Sequence, residues 1–316
     1  VQLPRQRDLY WAIGVFDGVH RGHRAIVQRL VDEAREGGAL PCVMTFDPHP
    51  LAVLQPEAAP PLLTTLSERL ALLAALGAER ILVVPFTRAF ARLEPEAFIH
   101  QILIDRLRAR RVYVGFSFRF GRGGRGSPGL LRRVGEPRGL EVREFDPITD
   151  DRTILSSTQI RQALQTGDVA AAARALGRPH AVEGIVVHGD ARGRQLGFPT
   201  ANLPEQGPVL WPGDGVYAIA ACFDGTVYGG VANLGRRPTV APDGPRLLEV
   251  HLFGFSGDLY GRRLRVAFLE RLRGERRFAG LDELRAQIDR DAASARRVLE
   301  AVLPRLARVD VCGPGA

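Results

Sequence analysis

Residues 14–23, Gly14-Val15-Phe16-Asp17-Gly18-Val19-His20-Arg21-Gly22-His23, stand between a short apolar run, Tyr10 to Val15, and a segment with helical spacing, Arg24 to Glu36. An apolar run that ends in a glycine-bearing turn and opens directly into a helix is the first half of a βα unit. Two imidazoles three residues apart at a helix start lie on one face. The helix mouth adds free amides and the positive end of the helix dipole. Gly18 and Gly22 allow the backbone to approach a bulky anion. This arrangement suits a nucleoside triphosphate attacked in line at its α-phosphate, with His20 and His23 stabilising charge on phosphorus and no protein nucleophile. The plainer reading of His-x-x-His alone is a capped helix with two surface histidines. A zincin is disfavoured because the Glu of a His-Glu-x-x-His helix is missing.

Outward from this stretch, the apolar runs Leu40 to Phe46, Ile81 to Pro85 and Arg111 to Gly115 alternate with helical segments at Leu66 to Leu76 and Pro95 to Leu107. Strands alternating with helices predict a parallel sheet covered on both faces, with ligands beyond the carboxyl ends of the strands. Ser156 to Leu164 and Asp168 to Leu176 read as two short helices, and Gly177 and Pro179 then mark a stop. The boundary is therefore expected between a first domain, 1–178, and a second, 179–316, in keeping with a chain of 316 residues. After Ala181 the segments Val182 to His188, Val216 to Phe223, Val227 to Leu234, Leu247 to Phe253 and Leu264 to Leu272 are strand-like and separated by Gly and Pro turns. They predict a small antiparallel β-barrel. Leu281, Leu284, Ile288, Ala292, Ala295, Leu299 and Val302 step by three or four and predict one amphipathic C-terminal helix.

The formal net charge is +8, and every one of the 43 basic residues counted as Lys+Arg is arginine. Without lysine there is no phosphate loop ending Gly-Lys-Ser/Thr and no lysine Schiff base. Phosphate must meet Arg, His, backbone amides or a metal. A basic balance fits anionic ligands. A nucleic-acid binder would cluster arginines among exposed aromatics, whereas here the arginines are dispersed and aromatics make up 7% of residues, so no nucleic-acid partner is expected. No stretch approaches the ~18 to 20 apolar residues that cross a bilayer, and residues 1–10 lack an apolar signal core. A cytoplasmic protein without a membrane partner is the expectation. Oligomeric state leaves no mark on the sequence. Cys42, Cys222 and Cys312 are odd in number and far apart, and suggest neither a disulfide framework nor a zinc site.

Three further segments carry chemistry. In Ser156-Ser157-Thr158-Gln159-Ile160-Arg161, Ser157 and Thr158 are placed to cap a helix while their hydroxyls bind phosphate, with Arg161 one turn on. An ordinary capped helix has the same pattern. Phe118 and Phe120 alternate, so their rings share one side of an extended segment on which a planar ring could stack; core aromatics are the alternative. Residues 189–202 are glycine-rich and basic. Gly193 and Gly197 permit a tight loop whose amides point at phosphates. Thr200 and Asn202, two positions apart, supply hard oxygens suited to Mg²⁺ bound with ATP. A plain turn is the alternative there.

In order, Phe16-Asp17-Gly18-Val19-His20-x-Gly-His23, Thr45-Phe46-Asp47-Pro48-His49-Pro50, Phe118-Arg119-Phe120-Gly121 and Ser156-Ser157-Thr158-x-Ile160-Arg161 resemble the FMN adenylyltransferase module of prokaryotic bifunctional FAD synthetases. Pro199-Thr200-Ala201-Asn202, Tyr228-Gly229-Gly230-Val231-Ala232-Asn233-Leu234-Gly235-x-Arg237-Pro238-Thr239, Glu249-x-His251-Leu252-Phe253, Asp258-Leu259-Tyr260-Gly261 and Arg271-Leu272-Arg273-x-Glu275 resemble riboflavin kinases. The resemblance implies a Rossmann-like nucleotidylyltransferase domain followed by a riboflavin kinase-like barrel. It implies riboflavin, FMN, FAD and ATP as partners, with Mg²⁺ accompanying ATP. It also implies ATP contacts at His20, His23, Ser157, Thr158 and Arg161, together with Gly14, Asp17 and Gly18 of the same turn, and flavin contacts near Pro48 and Phe120. In the second domain it implies Glu249 as general base, Thr200 and Asn202 as metal ligands beside the loop of Gly193 and Gly197, and Arg273 and Glu275 at the isoalloxazine edge. One departure is Ser117, where the family commonly has Asp or Asn. Ser is shorter, which opens the alternative of a riboflavin kinase with a silent first domain.

Overall fold

The computed structural model describes residues 7–150, 153–189, 198–236, 246–306 and 311–313, and these form two compact units, Val1–Leu155 and Ser156–Ala316. In the first, β1 (Leu9–Ile13), β2 (Leu40–Asp47), β3 (Arg80–Pro85), β4 (Ala109–Gly115) and β5 (Glu141–Phe145) form one parallel sheet in the order β3-β2-β1-β4-β5. A short hairpin of β6 (Thr149–Asp150) and β7 (Thr153–Ile154) follows. Side chains alternate across a strand. Trp11 and Ile13 therefore enter one core with Met44, Phe98, Leu103 and Val112. Tyr10 and Ala12 enter the other, with Val27, Leu30 and Val31 of α1 (Arg21–Glu36) and Leu73. Burial on both faces explains why these strands read as continuous apolar runs. Strand order reverses between β1 and β4, so the loop after β1 opens where such sheets bind ligands.

α1 is tied to the sheet by charge as well as by packing. Glu33 accepts hydrogen bonds from Tyr113 Oη at 2.7 Å and Arg111 Nη1 at 2.7 Å, and pairs with Arg29 one turn earlier. Arg111 also pairs with Glu141 of β5 at 2.7 Å and lies over the Tyr10 ring. Burial acts to raise the Glu33 pKa, but the hydrogen bonds from Tyr113 and Arg29 and the charges of Arg29 and Arg111 outweigh it and hold the carboxyl below its ordinary value.

In the second unit, two helices, Ser157–Thr166 and Val169–Leu176, precede β8 (His180–Ile185), β9 (Ala201–Pro204), β10 (Gly215–Phe223), β11 (Thr226–Gly235), β12 (Leu247–Leu252) and β13 (Arg263–Arg273). These strands form one antiparallel sheet in the order β8-β13-β10-β11-β12-β9. An isolated bridge, Val187 with Asn202, joins its two edges, so the sheet curls into a barrel filled by Leu203, Tyr217, Leu248 and Phe268. The helix pair packs with this barrel: Gly213 N donates to Leu164 O at 2.8 Å. The C-terminal helix, Leu281–Val302, lies across β10 and β11. Leu299 approaches Gly229 so closely that a Cβ there would sit 2.6 Å from its Cδ1. Buried Asp291 of this helix holds the Arg273 guanidinium through Nε and Nη2. Leu281 is exposed, so the packed stripe starts one turn later than its spacing suggests.

Several segments differ from their sequence reading. Pro95 to Leu107 is a single α-turn, Pro95–Ala97, that widens into a π-helix, Phe98–Arg106. β5 and β9 were not legible as strands. Cys222 and Cys312, 90 residues apart, form a disulfide, which corrects the expectation that the three cysteines make none; Cys42 stays free and buried. Chain folding brings β10 against residues 311–313, a proximity that spacing cannot reveal. No helix among the described residues is long and apolar enough to cross a membrane.

Replacing Glu33 with Gln removes the charge that Arg29, Arg111, Arg143 and Tyr113 share, and is expected to cost about 1–3 kcal/mol at neutral pH. Because the folded-state pKa is depressed, this contribution is present above the unfolded carboxyl pKa and lost as pH falls through the folded one. Urea unfolding of the two proteins should differ at pH 7 and converge as pH falls below the ordinary carboxyl range; a difference that persists unchanged in acid contradicts this origin.

Candidate active sites

β1 ends at Ile13, and Gly14 N donates to Met44 O at 3.1 Å, bringing the end of β2 alongside. Thr45 Oγ1 donates to Val15 O at 2.9 Å, closing the same seam. The chain then turns sharply: Phe16 (φ 54°), Gly18 (φ 80°) and Val19 (φ 42°) are all left-handed. For a β-branched residue this is a true outlier, and such strain persists only where the surroundings fix it. Asp17 supplies the fixing. Its buried carboxylate accepts from Leu63 N at 3.0 Å and Thr64 N at 3.2 Å, and Gly18 N donates to Thr64 Oγ1 at 3.1 Å. Asp17 thus braces the turn from behind.

His20 is the cap of α1. Its Nδ1 accepts from Gly22 N at 3.1 Å and His23 N at 3.3 Å. A ring nitrogen that accepts two amides carries no proton, so the neutral ring bears its proton on Nε2. His20 and His23 stack at 3.6 Å between centroids and 21° between planes. Phe16 meets His23 edge-on at 5.2 Å. The sequence reading of two imidazoles on one face is met, by ring stacking. Burial, then the neighbouring His20 and Arg69, push the His23 pKa well below the ordinary imidazole value, and its buried Nδ1 has no hydrogen-bond partner among the described residues.

Around this turn, Pro48 is exposed, and His49 caps the helix Pro50–Leu54 through Nδ1, which accepts from Leu51 N at 3.2 Å. Phe118 and Phe120 stack at 5.5 Å, but Phe120 is buried against Phe98 at 5.2 Å, so it is a core aromatic and Phe118 is the more accessible ring. Ser117 is exposed in the turn after β4. Arg122 and Arg125 both pair with Glu94, at 3.3 Å and 2.6 Å.

In the second unit, the cap of the helix Ser157–Thr166 is Ser156, whose Oγ accepts from Gln159 N at 3.3 Å. This corrects the capping role expected of Ser157 and Thr158, which occupy the first helical turn instead. Ser157 is half-buried, Thr158 exposed and Arg161 buried.

The barrel carries a second polar constellation. Glu249 of β12 stands directly opposite Asn202 of β9 and Asn233 of β11. Directly opposed residues share a face with Cβ atoms about 5 Å apart, so a carboxylate lies between two amides. Glu249 is half-buried, and Asn202 is 4% exposed. Asn202 presses on Gly189, where any Cβ would collide with its amide. His251, two residues on, holds the approach to Thr200: its Nδ1 donates to Pro199 O at 2.9 Å, and Phe198 meets its ring edge-on. Glu275 also reaches this cluster. Its carboxylate lies over Gly235 and takes a hydrogen bond from Asn233; burial and then the Asp214 charge raise its pKa against that bond and the charges of Arg246 and Arg273. Arg273 itself is committed to Asp291. Gly193 and Gly197 lie outside the described residues. Three residues that the sequence did not single out matter here. Asn233 was quoted only within a motif. His49 was quoted without a role. Arg69 is one arginine of many in a helical run.

The sequence matches the FAD synthetase family over residues 2–159 and the riboflavin kinase family over residues 176–299. A bifunctional riboflavin kinase/FMN adenylyltransferase of Escherichia coli strain K12 is 44% identical over 296 residues, covering 93% of this chain and 94% of the relative. One from Bacillus subtilis strain 168 is 39% identical over 294 residues, covering 90% and 91%. A solved Streptococcus pneumoniae chain described as a macrolide-efflux protein superposes with a TM-score of 0.84 at 32% identity, covering 94% of this chain and 95% of that one.

The first site makes a titration prediction. His23 should stay neutral through about pH 6–7, where ordinary imidazoles titrate. Since its folded pKa is depressed, protons bind the unfolded chain more tightly, and stability falls as pH drops through that range. Histidine-selective NMR of the ring should show no His23 transition there; an ordinary titration near neutrality contradicts its burial beside His20 and Arg69.

Proposed function

The chain belongs to the family of bifunctional riboflavin kinase/FMN adenylyltransferases, and on that premise we propose how its residues divide the two reactions. Riboflavin and ATP give FMN and ADP; FMN and a second ATP give FAD and pyrophosphate. Residues 1–178 serve the second reaction and 179–316 the first, although the helices at 157–176 pack with the barrel.

For phosphoryl transfer, Glu249 accepts the proton of the ribityl 5′-hydroxyl as that oxygen attacks the γ-phosphate. The observation that carries this is the register that sets Glu249 between Asn202 and Asn233. Amides directly across the ladder on both sides suit a carboxylate that must be oriented toward the hydroxyl it deprotonates. A divalent cation, Mg²⁺ by the hardness of the donors, fits the Thr200 hydroxyl and the Asn202 amide oxygen and would offset phosphate charge there. Gly193 and Gly197, outside the described residues, keep the phosphate-binding role that their sequence suggests, and Glu275 and Arg273 border the flavin edge.

For adenylyl transfer, the His20 Nε2–H donates to an α-phosphate oxygen as negative charge builds on it. Neutral His23, stacked beneath, keeps a second ring at the same mouth. Gly14, Asp17 and Gly18 shape the turn so that backbone can approach the nucleotide; the phosphate-binding role of Ser157, Thr158 and Arg161, which lie in the second unit, rests on the sequence resemblance alone. The flavin lies against Pro48 and Phe118, whose ring stacks on the buried Phe120. No proton need leave a protein nucleophile, because the FMN phosphate oxygen itself attacks.

Chromatography of products from riboflavin, ATP and Mg²⁺ tests the division. Glu249→Ala should lose FMN formation by about 10²–10⁴-fold yet still convert supplied FMN to FAD. An unchanged kinase rate in the variant would remove Glu249 from the reaction, and a native chain unable to adenylylate FMN would mean a silent first unit.

A further inference from the structure

Resting on the assignment of adenylyl transfer to the first unit, we propose that Arg69 is a positioning residue for that reaction, clamping the turns after β1 and β2 into one frame. Arg69 sits on the helix Leu66–Ala75 and is 3% exposed. Its Nη1 donates to Val15 O at 2.9 Å and its Nη2 to Phe46 O at 3.1 Å. Val15 leads into the turn that carries His20 and His23. Phe46 leads into Asp47, Pro48 and His49. One planar guanidinium thus spans the two loops that would meet nucleotide and flavin, a task its fixed fork suits and an ammonium does not.

The energetics are unusual for a purely structural arginine. Burying a guanidinium is costly unless its donors are met and its charge is paired. Here two donors go to carbonyls, Asp47 Oδ1 comes no nearer to Nη2 than 3.8 Å, and the buried Nε has no hydrogen-bond partner among the described residues. Asp17, the other nearby acid, accepts from the Leu63 and Thr64 amides. The guanidinium thus lies behind the turn with the charges of Asp17 and Asp47 beside it, held by its hydrogen bonds to the two loops. A frame fixed in this way is already in place when the phosphates arrive. The guanidinium also faces His23, along with His20, while Asp17 and Asp47 are the acids around it. Arg69 is one of the causes that keep His23 neutral, after burial and His20.

The test measures both reactions separately in the full-length native chain and in Arg69→Met and Arg69→Lys. FAD formation from FMN is expected to fall about 100-fold in Arg69→Met and about 10-fold in Arg69→Lys, chiefly in kcat. FMN formation from riboflavin should stay within about twofold of native in both, since that chemistry belongs to the other unit. His23, followed by NMR, should move toward the ordinary imidazole range in Arg69→Met and stay depressed in Arg69→Lys, which keeps the charge. Should Arg69→Met leave the first unit unfolded by near-UV circular dichroism, Arg69→Lys decides, with its kcat loss and unmoved His23 titration. Native-like FAD rates in a folded variant overturn the proposal alone. A native chain that makes FMN but no FAD overturns the assignment beneath it, and the proposal with it.

Discussion

Hydrogen-bond register fixes both sites. In the first unit, β1 lies between β2 and β4 in a parallel ladder, so the chain leaves β1 and β2 at the same edge of the sheet. Gly14 to Met44, Thr45 to Val15 and the fork of Arg69 then hold those two exits together. In the second unit the ladder is antiparallel, and register alone sets Glu249 across from Asn202 on one side and Asn233 on the other. A slip of one residue in either ladder would turn every one of these side chains to the wrong face.

Within that frame the two units solve one problem, binding phosphate without lysine, in different ways. In the proposed assignment the first offers two imidazoles and a helix N-terminus to the phosphates, and His20 spends one ring nitrogen on its own helix so that the other must carry the proton. The strained residues Phe16 and Val19 are the local cost of making the turn that tight, and the buried Asp17 offsets it by binding two amides across the loop. In the same assignment the barrel offers amides, a hydroxyl and close glycine contacts around a carboxylate. Its framework is reinforced away from the site, where the Cys222–Cys312 disulfide and the bond from Arg265 Nε to Val311 O fasten the end of the chain to β10 and β13.

Much of this was legible in the sequence because the signals were local. Continuous apolar runs alternating with helical spacing predict the parallel sheet, and the first turn with its two histidines lies where the pattern puts it. What escaped reading depended on partners distant in sequence. Glu141-Val142-Arg143-Glu144-Phe145 has too few apolar residues for a strand until β4 supplies the ladder and Arg111 pairs with Glu141. Ala201–Pro204 is four residues long and becomes a strand by pairing with β12. Ser156, Ser157 and Thr158 are equivalent candidates for a cap, and backbone geometry alone selects Ser156. The helices at 157–176 carry their own stop signals, so the sequence assigns them to the first domain, while packing through Leu164 and Gly213 sets them against the barrel. Arg69 had no signal at all, because its meaning lies in carbonyls 54 and 23 residues away.

Calorimetric titration of the native chain with a non-hydrolysable ATP analogue and Mg²⁺ tests most directly whether each unit holds a nucleotide of its own. Two saturable sites per chain are expected, one abolished by His20→Ala and the other by Thr200→Ala, each leaving its companion intact. A single site, or two sites lost together by either substitution, would contradict the separation.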